Sequence, residues 1–482
     1  MEKLTFTLKQ HTPIIHFQHD QAGATLRASE VKPRLDRFIL EKLGGEIYEA
    51  GVKDAKEKGW LIKGAEYQAL DYMIKIFPYL SEPFIDDPQF PFFGNIDTDN
   101  NLKSKKKSVF FEENLKLCFS SFHKHLFDSK FILLVEEFFL VNNFGSRATK
   151  GYGSFSVVQI EKNNKQIELT KFVNSYFQYS FDIRLKYFPS FNDLFNKIHL
   201  FWKIIRSGYN QKGLYIKPLI FLYSKEKNWQ WDKKSIKQYF FNGINKYFKE
   251  YIKDINSPVG YSSESRIKKN FPLLRATLGL AQSQKWDNNF LITKDPEEPI
   301  ERFSSPIVFK PIRNADSITV YFDWIETNTG LWGRTFLTNY QGSNNNDLQL
   351  TVPRRDDFDP DGFMKFLVNK NPRDFFNFKF DGAFIISKIN TPKTNLENED
   401  RLLLANLFKP EKDLVNFDFS VFKNEIGKEN FSIYDKIQDA SLNNVTFKDK
   451  SKVKTFIDSF NPDELSVYDL IFNQLNENNN RQ

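Results

Sequence analysis

Apolar and polar residues alternate near the amino terminus. Leu4, Phe6 and Leu8 are interleaved with Thr5, Thr7 and Lys9, and the run closes at Pro13. Period two predicts a half-buried strand. A glycine-bearing polar loop follows, Gln18 to Gly23, and then the period lengthens. Val31, Leu35, Phe38 and Ile39 recur at three-to-four spacing. This predicts a helix from Ser29, with Ser29 as its cap and Pro33 in the first turn, where a missing N–H costs little. A strongly apolar stretch, Phe131 to Val141, reads as a second helix that breaks at Asn142-Asn143-Phe144-Gly145. The segment Gly145-Ser-Arg-Ala-Thr-Lys-Gly-Tyr-Gly153 comes next, then the strand-like run from Ser154 to Ile160. Strand–helix at the start and helix–loop–strand at the end fit a βαββαβ unit of about 160 residues.

Between 170 and 300 the pattern is mainly helical, with Asn192–Arg206 and Lys234–Tyr251 at helical spacing and a break at Ser257-Pro-Val-Gly260. Two strand patterns follow, Ser305–Ile312 and Ser317–Trp324. A helix is expected from Asp359 through Val368 and a strand at Phe380 to Ile386. The last eighty or so residues are polar and rich in Asn and Lys, and the extreme terminus reads as frayed.

Composition narrows the classes. The chain has 482 residues, 40% hydrophobic and 27% charged, which is globular usage rather than disorder. No apolar run approaches the roughly 20 residues of a membrane span. No signal peptide is visible, so the chain is read as soluble and cytoplasmic. The lone cysteine, Cys118, rules out an internal disulfide and a multi-cysteine metal site, and reads as buried and inert. Phenylalanine dominates the aromatics, 52 against 19 Tyr and 7 Trp, which reads as core filling. The net charge of +7 is a mild pointer to an anionic partner.

The glycine loop is the most informative segment. Gly145, Gly151 and Gly153 permit close backbone approach, Arg147 and Lys150 add charge, and Tyr152 adds a ring. Open amides, cations and a stacking surface suit a sugar–phosphate backbone. The spacing and the helix-to-strand order differ from nucleotide-binding loops, and a plain structural turn is the competing reading. Upstream, Arg27, Lys32, Arg34 and Arg37 alternate with apolar positions, giving one helix a basic face, with Glu30 and Asp36 available to neutralise it. The cluster Lys103-Ser-Lys-Lys-Lys107 reads as a solvated hairpin tip. Six histidines are present: His11, His16, His19, His123, His125 and His199. None sits in a metal-binding or paired acid–base template, and the acidic run Asp356, Asp357, Asp359, Asp361 lacks the calcium-loop pattern. No cofactor or metal is expected.

These segments together resemble the RAMP proteins of CRISPR effector complexes. The glycine loop from Phe144 to Phe155 looks like the family's loop, and His11-Thr-Pro-Ile-Ile15 is similar to its first strand. Leu26-Arg-Ala-Ser-Glu-Val-Lys-Pro-Arg-Leu-Asp-Arg-Phe38 resembles the start of its first helix, with Pro33 where the family has glycine. Arg302-Phe-Ser-Ser-Pro-Ile-Val-Phe-Lys-Pro-Ile312 looks like the opening of a second unit, and the order, with Leu278-Gly-Leu280 upstream, is most similar to the two-unit subunit of type III-B (Cmr) complexes. The resemblance implies an α+β chain of tandem ferredoxin-like (RRM-like) RAMP domains, 1–165 and 301–482, joined by a mainly helical region, 166–300. It implies a non-catalytic, RNA-binding role in antiviral defence. The partners would be the 3′ part of a guide RNA, target RNA and other RAMP subunits, with no membrane. Carried onto this chain, Arg27, Lys32, Arg34, Arg37, Gly145, Ser146, Arg147, Lys150, Gly151, Tyr152 and Gly153 would line the RNA path, with Ser305 and Lys310 at the start of the second unit.

Two other readings stay open. One is an RNA-processing endonuclease of the same fold, with His11 or His16 as general base and Lys32 stabilising charge on the phosphate. The other is a protein-interaction scaffold whose basic residues merely keep it solvated.

Overall fold

A computed structural model describes residues 1–15, 25–63, 68–77, 81–86, 108–169, 172–184, 191–211, 214–216, 218–227, 229, 231–241, 271–281, 283–286, 289–295, 302–315, 317–326, 329–341, 347–369, 471 and 474–475. His16, His19, the Lys103–Lys107 cluster, the expected strand at Phe380–Ile386 and nearly all of the final eighty residues lie outside these. The chain falls into two contact units. One comprises Met1–Ile198 with Pro306–Ile325; the other comprises His199–Ser305 with Glu326–Gln482.

The first unit begins with β1 (Glu2–Gln10), β2 (Ile14–Ile15), α1 (Ala28–Leu43) and α2 (Tyr48–Glu57). There follow β3 (Met73–Phe77), β4 (Phe84–Asp86), β5 (Ser108–Phe110), β6 (Leu115–Ser121) and α3 (Ser129–Val141). Then come β7 (Phe155–Lys162), β8 (Lys165–Ile167), β9 (Tyr179–Arg184) and α4 (Asn192–Arg206), the last crossing into the other unit.

The main sheet runs β3-β6-β1-β7-β8, with every pairing antiparallel. Strands β1, β3, β6 and β7, with α1 after β1 and α3 after β6, make the expected βαββαβ unit, and the spatial order is that of a ferredoxin-like sheet. The alternation read from Leu4, Phe6 and Leu8 places those residues fully inside. They pack with Val31, Leu35 and Ile39 of α1 and Val135 and Phe138 of α3 in a single core cluster. Nine buried phenylalanines belong to this cluster. Phe119, Phe127 and Phe131 meet pairwise with ring centroids 5.1–6.2 Å apart, the edge and tilted contacts that aromatic cores favour. Cys118 differs from expectation, being only half-buried on the sheet face away from the helices.

The second unit contains β10 (Tyr209–Gln211), β11 (Leu214–Ile216), α5 (Leu219–Glu226), α6 (Asp232–Phe241), β12 (Phe271–Pro272), β13 (Leu280–Ala281), β14 (Ser283–Trp286), β15 (Asn289–Lys294) and β16 (Arg302–Phe303). The region expected to be mainly helical therefore carries helices and several short strands. β17 (Ile307–Arg313) and β18 (Ser317–Trp324) belong to the first unit, where they join β9 in a three-stranded antiparallel sheet. From Pro306 on, the segment expected to open a second unit is therefore grouped with the first contact unit. The second unit resumes with β19 (Thr335–Tyr340), β20 (Leu348–Thr351) and α7 (Pro360–Asn369). Its larger sheet runs β12-β20-β19-β15-β14, with β12 parallel to β20. Among the described residues, no helix is long and apolar enough to cross a membrane.

Candidate nucleic-acid interface

Helix α1 exists because Val31, Leu35, Ile39 and Leu40 form one buried stripe. It begins one residue before the expected cap. Arg27 is the N-cap, in extended conformation and without a capping side-chain bond, while Ser29 lies inside the first turn. Pro33 is the sixth helical residue rather than part of the first turn. It is exposed, so the Ser29 carbonyl that loses its N–H partner can turn to water.

The helix and the glycine loop are in direct contact. The Gly145 N–H donates to Glu30 Oε1 at 3.0 Å. The Arg34 guanidinium donates to the Asn143 carbonyl at 3.1 and 3.2 Å and to Asn142 Oδ1 at 3.1 Å. It also lies 4.9 Å from the centre of the Phe144 ring. Burial draws the Arg34 pKa down, and neighbouring Glu30 opposes that shift.

The loop is less open than its composition implies. Its neck is closed by Phe144 N–H to the Gly153 carbonyl at 2.9 Å. The amides of Ser146 and Gly153 donate to the carbonyls of Ile15 and Pro13, both at 2.8 Å. Lys150 and Gly151 donate within the loop, to Arg147 and Ala148. Three of the expected anion donors, Gly145, Gly151 and Gly153, are therefore structural. Gly153 has φ of 63°, and a Cβ there would run into the Phe144 carbonyl, so its small size serves closure of the neck. Among the described residues, the Ala148 and Thr149 amides of the 146–149 crest donate to no group of the protein, and both residues are partly exposed. The part of the loop that can meet a phosphate is thereby narrowed to Ser146–Thr149.

Other expected contacts are committed elsewhere. Tyr152 is 4% exposed and stacks on Phe195 with centroids 3.6 Å apart and planes 4° from parallel, so its ring offers no surface to a base. The Lys32 ammonium donates to Asp36 Oδ2 and the Leu70 carbonyl, both at 2.8 Å, and lies 3.8 Å from the Tyr72 ring centre. Burial raises the Asp36 pKa, and the Lys32 charge pulls it back. Lys150 Nζ is buried, 5.7 Å from the Phe309 ring centre. Lys310 is wholly buried and donates to the carbonyls of Phe139, Asn142 and Phe155. Ser305 is 7% exposed and belongs to the other contact unit. Neither Ser305 nor Lys310 presents a surface to RNA. Of the expected helix cations, Arg37 is the most open, 74% exposed and 2.8 Å from Glu41, while the Arg34 side chain is 40% exposed. Sequence reasoning missed Glu30 and Asn143 as the residues that join helix and loop. Asn143 directly after an apolar helix was the available signal.

For His11 the acid–base pairing of the endonuclease reading does not form; His16, the other candidate base, lies outside the described residues. His11 is buried; its Nδ1 accepts from the Arg313 N–H at 3.0 Å, which leaves Nε2 as the donor to Ser156 Oγ at 2.8 Å. Its only ring lone pair is occupied, and burial, with the charges of Lys310, Lys9 and Arg313, holds the ring neutral. Lys32 is held by Asp36 as described.

Fold and site define a ferredoxin-like module with a glycine-opened loop clasped to its first helix. Family models match both halves of the chain: the Cmr1 N-terminal domain over residues 1–209 and the Cmr1 C-terminal domain over residues 215–391. The chain belongs to the Cmr1 family. No curated protein matches it. Among solved structures, the crystal structure of Cmr1 from Pyrococcus furiosus in its apo form is similar at 14% identity and a TM-score of 0.28, over 76% of this chain and 96% of that one. A chain of the type III-B Cmr-beta complex bound to cognate target RNA is similar at 13% identity and a TM-score of 0.23. That match takes in 33% of this chain and 60% of the other.

Proposed function

We propose that this chain is a non-catalytic RNA-binding subunit of a type III-B CRISPR (Cmr) ribonucleoprotein. In this reading it is a tandem RAMP protein that sits beside other RAMP subunits, contacts the 3′ part of the guide RNA and helps capture target RNA. Membership of the Cmr1 family supports the complex. The observation that supports RNA contact is the clasp between α1 and the loop, which fixes Arg34 at the neck of the loop that carries the Ser146–Thr149 crest. Partly exposed amides next to guanidinium groups suit phosphate. The test is anisotropy of a labelled single-stranded RNA with the full chain across a salt series. Arg37→Ala combined with Arg147→Ala should weaken binding and reduce the salt slope by about 0.7 per lost phosphate contact. Unchanged affinity and slope would overturn the assignment of this surface. RNA cleavage by the full chain that is lost in His16→Ala would overturn the non-catalytic reading.

A further inference from the structure

The helices cover only one face of the main sheet. The strand registers define the other. Met73, Ser120 and Lys3 form one row across β3, β6 and β1; Lys75, Cys118 and Thr5 form the next; Phe77, Lys116 and Thr7 form the third. Glu161 and Gln159 of β7 extend the second and third rows. Leu4, Phe6, Leu117 and Phe119, which alternate with these residues, are buried on the helix side.

This open face has an unusual make-up. Met73 is 55% exposed and Phe77 is 51% exposed, and Phe122, immediately beyond β6, is 82% exposed. Between them lie the exposed Lys3, Lys75 and Lys116, none of which forms an ion pair among the described residues. Two carboxylates lie nearby: Glu161, in the second row, accepts from the neutral Gln159 amide at 2.7 Å, and Asp71 pairs with His123 at 2.7 Å. The lysines outnumber these carboxylates, so a protein partner packed on this face would have to bring carboxylates of its own or bear the cost of burying unpaired ammonium groups. A polyanion with planar bases meets no such cost. Lysines take phosphates, and phenyl rings take base faces without regard to sequence.

We infer that the open face of the sheet is a second binding surface for single-stranded RNA. Lys3, Lys75 and Lys116 lie against phosphates, and Phe77 and Phe122 lie under bases. It stands on the side of the sheet away from α1, so it is distinct from the α1–loop surface and can succeed or fail independently of it.

The unique cysteine is a built-in reporter, because Cys118 lies in the middle row and is partly exposed. The test alkylates the full chain with iodoacetamide, free and saturated with a labelled oligouridylate of about fifteen nucleotides, enough for one sheet platform. Mass spectrometry follows the Cys118 rate, and anisotropy verifies saturation. Bound RNA should slow alkylation by about fivefold or more, in line with coverage of a stacking platform. Phe77→Ala and the Lys75→Glu, Lys116→Glu pair should weaken binding by about fivefold or more, the pair also reducing the salt slope. Protection of Cys118 should persist in the Arg37→Ala, Arg147→Ala chain, which separates this surface from the α1–loop surface. An unchanged alkylation rate at saturation would overturn the proposal. So would unchanged RNA affinity in the lysine pair together with altered self-association by light scattering, which would assign the face to a second copy of the chain. A parental chain that binds no RNA would overturn both surfaces.

Discussion

The Lys310 ammonium lies 2.8 Å from the carbonyl oxygen of Phe139, at the carboxyl end of α3, and donates equally to Phe155 and, at 2.9 Å, to Asn142. A helix leaves its last carbonyls without intrahelical donors, and here a lysine from β17 supplies them. Burial pulls the Lys310 pKa well below the usual lysine range, with the Arg34 charge as a second cause. The residue expected to touch RNA therefore serves as the joint between β17, α3 and β7. Lys310→Met should strand three carbonyls and cost about 3 kcal/mol or more in urea unfolding. Lys310→Arg should not rescue, because a planar fork does not match three converging acceptors. Full stability with weakened RNA binding would return Lys310 to the role the family resemblance implied.

His11 makes stability depend on pH. Its folded-state pKa lies well below 6.5 because the ring is buried among Lys310, Lys9 and Arg313. Below pH 6.5 the unfolded chain takes up a proton that the folded chain refuses, so stability falls as the pH falls. Each pH unit between 6.5 and the folded-state value costs up to about 1.4 kcal/mol. Urea unfolding at pH 5.0 and pH 7.0 should show this loss in the parent and a flatter profile in His11→Gln. Equal slopes in the two proteins would show that another group carries the dependence.

The βαββαβ unit was legible because its signals are local. Period two in β1, period 3.6 in α1 and α3, and the Asn-Asn-Phe-Gly break each lie within one element. What stayed hidden depends on partners far along the chain. Lys310 donates to Phe139 across 171 positions, and nothing in the run Ile307–Arg313 separates a buried lysine from a solvated one. Tyr152 stacks on Phe195, which the sequence places in another helix with its own apolar stripe. Pairing of β18 with β9, which assigns β17 and β18 to the first unit, joins residues such as Ile318 and Ile183. That α1 and the glycine loop can meet was readable from the βαββαβ pattern. The identity of the free amides was not, because the acceptors Ile15, Pro13 and Glu30 are remote from the loop in sequence.

Glycine positions with similar backbone angles should respond very differently to a methyl group. Gly45 has φ of 65° with nothing within 4 Å of an added Cβ, so Gly45→Ala should cost about 1 kcal/mol, the left-handed conformation alone. Gly153 has φ of 63°, and its Cβ would collide with the Phe144 carbonyl that closes the loop neck. Gly153→Ala should therefore cost about 3 kcal/mol or more and reduce RNA binding through the displaced crest. Thermal unfolding of the two variants checks the contrast; equal losses would mean that the neck yields without cost.

Tyr152 tests the difference between a core aromatic and a base platform. Its ring is buried face to face with Phe195, so Tyr152→Leu should lower stability by about 1–3 kcal/mol through lost stacking and imperfect volume. At a temperature and urea concentration where the variant is fully folded, its RNA affinity should stay within about twofold of the parent, because no base contact is removed. A ring that stacked on RNA would instead lose about 1–3 kcal/mol of binding on the same substitution, with stability largely kept. Anisotropy titration beside urea unfolding separates the two. A large affinity loss in a stable variant would mean that Tyr152 leaves Phe195 when RNA arrives.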